Sequence, residues 1–253
     1  MKVTFLGTGT SQGVPVIGCD CEVCLSVDYR DQRLRSSVLI QHDDTNIVID
    51  TGPDFRQQML ANRVQRLDAV LYTHEHKDHI AGMDDIRSFN FKQKMDMPIF
   101  AQERVIKRLQ QEFSYVFAEQ KYPGIPTVNV NTISTKRFNI GSIAIQPIEV
   151  MHYRLPILGY RMGNFAYITD AKTIDPKEKI KLFDLDVLVL NALQLDDHLS
   201  HLTLTEAIAW VEELKPKQAY FTHISHYLGL HREILTSLPS NVSLAYDGLS
   251  IML

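Results

Sequence analysis

Cysteine is scarce in this chain: three residues among 253, all before residue 25. An odd number placed so closely excludes a disulfide-stapled fold, because one thiol is left over and bridges between such near neighbours would be strained. Basic residues are not in excess either. Twenty-six Lys and Arg against thirty Asp and Glu leave a net charge of −4 and a pI near 6.2. That balance argues against extensive nucleic-acid contact, which calls for a basic face. No apolar run approaches a membrane-spanning length, and there is no repeat, low-complexity linker or block of like charge. The opening Met1-Lys2-Val3-Thr4-Phe5 reads as a strand rather than a secretory leader. What remains is a globular composition, 45% hydrophobic, ample for a buried core.

One stretch is unlike the rest. Thr73-His74-Glu75-His76-Lys77-Asp78-His79 places His74, His76, Asp78 and His79 within six residues, directly after the apolar run 69–72. Neutral imidazoles offer lone pairs and a carboxylate offers hard oxygens, a set that suits zinc, manganese or iron. A strand that ends by releasing such residues into a loop is also where α/β enzymes place their chemistry. The same grammar recurs. Residues 143–150 end in Met151-His152, 165–168 in Thr169-Asp170, and 218–221 in Thr222-His223. Each alone could be a hydrogen-bonded core histidine or a strand-ending Asp; beside the His-rich loop they read as parts of one site.

His74-x-His76-x-Asp78-His79, followed by isolated His152, Asp170 and His223, resembles the metallo-β-lactamase superfamily of dinuclear metallohydrolases, and the match runs through nearly the whole chain. The resemblance implies an α/β (α+β) fold, the αββα sandwich, with metals in a cleft at one edge. It implies that His74, His76 and His152 hold one divalent metal, that Asp78, His79 and His223 hold another, and that Asp170 bridges them. Asp50, in Ile47-Val48-Ile49-Asp50-Thr51-Gly52, matches the family's early turn and would orient a ligand imidazole. His76 separates the chain from the oxygen-reducing di-iron branch, which carries Glu there. The cysteines lie too early for the lactamase branch that uses one as a ligand. Hydrolysis is left.

Cys19-Asp20-Cys21-Glu22-Val23-Cys24 is the second signal. A structural zinc needs four ligands, and His226, three residues past His223, is the natural fourth; redox-active or merely buried thiols are the alternatives. Together with Leu6-Gly7-Thr8-Gly9-Thr10-Ser11-Gln12-Gly13 and the late His223-Ile224-Ser225-His226, the loop is similar to the PhnP-type phosphodiesterases. That resemblance implies a structural zinc on Cys19, Cys21, Cys24 and His226 beside two catalytic ions, zinc or manganese. Thiols kept as zinc ligands fit a cytoplasmic location.

Ser200-His201-Leu202-Thr203 precedes a helix signalled by Thr203 or Thr205 and Glu206. In the phosphodiesterase branches a histidine at this place resembles the general acid, so His201 is expected to protonate the leaving oxygen, with His198 as competitor. Asp78 is counted with His201 among the catalytic residues. His42 and His231 carry no assignment. The implied chemistry is attack on phosphorus by a hydroxide held between two metals, which lower the pKa of bound water to about 7.

The candidate ligands run from His74 to His223, so any domain boundary would cut the site, and residues 1–253 are expected to form one domain. Apolar patterning predicts strands at 3–6, 38–41, 47–49, 158–161, 165–168 and 187–190, strands within 137–150, and a hairpin around Asp43-Asp44-Thr45-Asn46. Helices are expected over 55–61 and 103–113, with another beginning within 82–95. The aromatic, Pro-punctuated segment 111–131 is a lid over the cleft, a dimer contact or core filling. Arg154 and Arg161 are candidate phosphate partners.

The expected substrate is a small phosphodiester, cyclic or nucleotide-like, without a membrane partner; a homodimer follows from the resemblance alone. The alternatives are a tRNA 3′-processing-type endoribonuclease, an accessory protein like the pyrroloquinoline-quinone branch, and thioester or lactam hydrolysis.

Overall fold

The computed structural model describes every residue except Lys121. In chain order the strands are β1 (Lys2–Gly7), β2 (Ser37–His42), β3 (Thr45–Ile49), β4 (Ala69–Leu71), β5 (Met97–Ala101) and β6 (Val128–Thr132). Then come β7 (Phe138–Ile140), β8 (Ile143–His152), β9 (Leu155–Met162), β10 (Phe165–Ile168), β11 (Val187–Asn191), β12 (Gln218–Thr222), β13 (Val242–Leu244) and β14 (Ser250–Met252). The helices are α1 (Phe55–Ala61), α2 (Lys77–Ile80), α3 (Arg87–Gln93), α4 (Glu103–Glu112), α5 (Ser114–Phe117), α6 (Pro176–Lys179), α7 (Leu204–Leu214) and α8 (His231–Ser237).

Among the described residues two seven-stranded sheets result, ordered β14-β1-β2-β3-β4-β5-β6 and β13-β12-β11-β10-β9-β8-β7. Each combines an antiparallel part (β1 to β3, and β7 to β10) with a parallel run (β3 to β6, and β10 to β13). The period-two alternation of side chains decides what each face meets. Val3, Phe5, Ile47 and Ile49 point into a core shared with Leu158, Tyr160, Tyr167 and Val189 of the second sheet. Their strand neighbours Leu6 and Val48 point the other way, onto Phe55 of α1, Phe89 of α3 and Leu109 of α4. On the far side, Leu188 and Leu190 pack with Ala207 and Val211 of α7. Helix, sheet, sheet, helix is the αββα sandwich expected from the resemblance.

Boundaries moved where local chemistry competed with pattern. The helix expected within 82–95 opens as a 3₁₀ turn, Met83–Ile86, before α3. The stretch 137–150 breaks at Gly141, whose φ of 55° makes the turn between β7 and β8. In 111–131, Phe113 and Val116 are buried in the outer core with Phe117 packed against it, so the first part of the segment is core filling; Lys121 lies outside the described residues.

Two glycines bring the ligand-bearing loops together. Thr51 N–H donates to the His79 carbonyl and Gly82 N–H to the Thr51 carbonyl, each at 2.8 Å. A Cβ on Gly52 would lie 2.2 Å from the Asp78 carbonyl oxygen, and one on Gly82 would lie 2.1 Å from that of Gly52. Both neighbours are backbone and cannot turn aside. Gly52→Ala is therefore expected to cost about 1–3 kcal/mol, seen as a lower urea midpoint with unchanged slope.

Candidate functional site

The site is built on one carboxylate. Asp50 is fully buried at the end of β3, with φ of 65°. Its Oδ1 accepts from Thr73 N–H at 2.8 Å and its Oδ2 from the Thr73 hydroxyl at 2.7 Å. The same Oδ2 lies 2.7 Å from His79 Nδ1. A carboxylate can only accept here, so Nδ1 carries the proton and Nε2 keeps its lone pair. Thr73 passes the constraint on. With its hydrogen given to Asp50, its oxygen accepts from His74 Nδ1 at 3.0 Å, which leaves His74 Nε2 free as a donor atom to a cation. His152 is set the same way from the other sheet, by the Ser200 carbonyl 3.0 Å from Nδ1.

The four strand ends converge. Donor atoms of His74, His76 and His152 lie within 4.8 Å of one another, as do those of Asp78, His79, Asp170 and His223. Either group could hold a divalent cation. Asp170 and His223 have φ of 57° and 55°, left-handed conformations that Asp and His tolerate better than most residues and that recur at functional sites. His79 Nε2 tests the fit. It lies 3.1 Å from Asp78 and 3.4 Å from Asp170, yet is buried with no hydrogen-bond partner among the described residues. An unsatisfied buried nitrogen is costly, and a cation among those carboxylates would satisfy it.

Electrostatics agree. Burial opposes charge on His79, but Asp78, Asp170 and Asp50 together outweigh it and hold its pKa well above the ordinary value. Burial drives His74, His152 and His223 downward, His223 to about 3. The centre is thus electron-rich, with proton and cation competing for the same place.

His201 belongs to this centre too. Its Nε2 lies 3.1 Å from Asp170 Oδ1, and its Nδ1 lies 3.0 Å from the Ser200 hydroxyl. His198 is one step removed, its Nδ1 3.1 Å from that of His201, and burial, its largest influence, lowers its pKa. The loop bearing both is fixed downstream by a capping box, in which Thr203 rather than Thr205 caps α7 and Glu206 returns the bond. His152, Asp170 and His201 also have donor atoms within 4.8 Å of one another, so His201 is placed either to donate a proton or to bind.

The cysteine loop meets its expected fourth partner. His226 Nδ1 lies 3.4, 3.3 and 3.5 Å from the sulfurs of Cys19, Cys21 and Cys24. Ser225 caps the 3₁₀ turn that begins at His226, so three residues suffice to aim His223 and His226 at different centres. The Cys24 N–H, followed by His226, brings the Cys21 thiol down to about 6, favouring the thiolate that a metal needs. Burial pushes Cys24 up to about 11.

Arg161 is corrected by the structure. Its guanidinium donates to the carbonyls of Gly163, Lys181 and Phe183 and serves the fold. Arg154 lies beside the centre, in a groove with His76 and His152. His42 faces Asp43, and His231 is buried against Arg33. Thr10, whose hydroxyl is 3.2 Å from His223 Nε2, was not anticipated, nor was the Ser200 carbonyl. Thr10 stands in the glycine-rich opening, where its neighbours carried the signal.

Comparison with known proteins agrees with this layout. A family model described as beta-lactamase superfamily domain matches residues 45–224. A protein of Porphyromonas gingivalis named octanoyltransferase is 38% identical over 256 residues, covering all of this chain and 52% of the relative. The chain thus spans about half the length of that relative. A crystal structure described as a new diphosphatase from the PhnP family superposes with a TM-score of 0.93 at 40% identity, covering 100% of this chain and 97% of that one. Zinc-bound PqqB from Methylobacterium extorquens gives 0.83 at 18% identity over the full length of both, a likeness of fold.

Asp50→Ala removes the acceptor behind His79 and, through Thr73, behind His74. Metal affinity is expected to fall about 10- to 100-fold, measured by competition with a chromophoric chelator; unchanged affinity would mean that the rings are held by packing alone.

Proposed function

Because the chain belongs to the metallo-β-lactamase superfamily, in its PhnP branch, we propose that this metal-binding hydrolase cleaves a small phosphodiester, with His201 as the group that protonates the leaving oxygen. The family implies divalent ions, and the donor sets above suit two in the cleft, zinc or manganese, and one zinc on the cysteine loop. When bound, the cleft ions would polarise the phosphoryl oxygens and lower the pKa of attacking water.

The observation that carries the reading is the place of His201. Its Nε2 is 3.1 Å from Asp170 Oδ1, a carboxylate that groups with Asp78, His79 and His223 on one side and with His152 on the other, so a proton held there stands at the edge of the reacting volume. An alkoxide leaves poorly near neutral pH, and a placed donor contributes roughly 10²- to 10⁴-fold. Ser200 and His198 bracket the other nitrogen and keep the ring from turning away. Asp78 and Asp170 would hold metal rather than transfer protons, with charge kept by the imidazoles around them.

A second reading comes from the 40%-identical PhnP-family diphosphatase. A diphosphate bond presents the same phosphorus chemistry with a phosphate as leaving group. A leaving phosphate needs less protonation, so dependence on His201 separates the two. A non-catalytic accessory role would need no proton donor at all.

His201→Ala is expected to slow hydrolysis of an unactivated dialkyl phosphate roughly 10²-fold or more while metal content stays at the wild-type level. Parallel loss of metal and activity would make His201 a ligand instead. Full dialkyl phosphate turnover in the variant would remove it from the mechanism.

A further inference from the structure

Two grooves flank His76. The first, about 520 Å³, is lined by Lys77, Arg104, Lys107, Arg108 and their neighbours. Its cations are already matched: Arg104 with Glu75, Lys77 and Arg108 with Glu112, Lys107 with Glu103. An incoming anion would have to displace a carboxylate at each of them. The second, about 460 Å³, opens between the turn joining β8 to β9 and the loop that carries His198 and His201. Tyr153, Arg154, Leu155 and Leu199 line it, with His76, His152 and Ser200 at its inner end.

This second groove has what the first lacks. Among the described residues Arg154 has no carboxylate partner, and its guanidinium carbon lies 5.1 Å from the centroid of the Tyr153 ring. Tyr153 is 46% exposed and Leu199 68% exposed, two large apolar surfaces left in water directly beside a polar centre. Such surfaces next to a site point to a ligand. The backbone agrees, for Tyr153 has φ of 57°. That region is uncommon for a bulky residue, and here it sits one residue after His152, in the turn that presents both Tyr153 and Arg154 to the groove.

We propose that this groove is the subsite for the ester arm that stays on phosphorus when the leaving group departs. Tyr153 and Leu199 take a planar ring, and Arg154 takes a second anionic group carried on the same arm. The substrate class is then a nucleotide-like phosphodiester bearing one further anion. The proposal rests on the phosphodiesterase reading above and adds the chemistry of the arm to it.

Three esters with one leaving group test it: methyl p-nitrophenyl phosphate, thymidine 5′-(p-nitrophenyl phosphate), and its 3′-phosphorylated form. The wild-type protein is expected to lower KM about tenfold for the ring and about tenfold again for the added phosphate, with kcat changing little. Tyr153→Asn, which tolerates the left-handed turn, should abolish the first step, and Tyr153→Phe should restore it. Arg154→Ala should abolish the second step and keep the first. Steps that survive in both variants, or a variant that shifts all three esters alike, would overturn the proposal. If none of the esters is cleaved, the phosphodiesterase reading fails separately. Calorimetric binding of thymidine 3′,5′-bisphosphate against thymidine 5′-phosphate then decides the subsite: a preference lost in Arg154→Ala supports it, and equal binding by both proteins refutes it.

Discussion

The carboxylate of Asp50 is the constraint on which the centre depends. It is fully buried, and burial pushes its pKa up. Two bonds from Thr73 and one from His79 oppose that rise by favouring the charged form. Those partners are also what the charge controls. His79 is set directly and His74 through the Thr73 hydroxyl, so one buried anion fixes the lone pairs of two imidazoles, one in each ligand group. Such arrangements are stiff because removing any member leaves another unpaired in a low-dielectric interior. The close backbone crossing at Gly52 and Gly82 is the steric counterpart, since it holds the turn after Asp50 against α2, where Asp78 and His79 sit.

The remaining ligands come from the facing sheet, and the sandwich explains how they arrive. β8, β10 and β12 end beside one another's loops, delivering His152, Asp170 and His223 to the same edge as the loop after β4. The glycine-rich opening fastens this edge from outside. Thr10 N–H donates to the Ile224 carbonyl and Ile224 N–H to that of Thr8, tying the first loop to the end of β12. The cysteine loop continues from that strap and meets His226. A metal there would brace the segment that carries His223 and Thr10, linking the structural donor set to the catalytic one through backbone rather than through shared ligands.

Much of this was legible in the sequence because the candidate ligands gather at the ends of four strands, so an apolar run and the residues that close or follow it suffice to mark both. Most inner strands were read for the same reason: Val187–Asn191 and Phe165–Ile168 are buried along their whole lengths, whereas Met97–Ala101, inner but only alternately buried, was not read. Of the edge strands, β6, β13 and β14 were not. Val128–Thr132 alternates Val with Asn, with no buried residue, and nothing in such a segment distinguishes a strand from a polar loop. The supports of the centre were harder still. The Ser200 carbonyl that sets His152 could have come from any residue, since every residue has one. Arg161 stood as a candidate phosphate partner because its sequence neighbours gave no hint of the four carbonyls that surround it. The left-handed turn at Tyr153 was hidden too, because aromatic residues seldom adopt it.

Phosphodiester hydrolysis by metal bound in this cleft is tested most directly by a comparison on protein with its metals counted. Hydrolysis of bis(p-nitrophenyl) phosphate is measured against that of p-nitrophenyl phosphate. Diester turnover well above monoester turnover, on protein holding about three ions per chain, is the result predicted. A chain fully loaded with metal that leaves the diester intact, or that prefers the monoester, would contradict it.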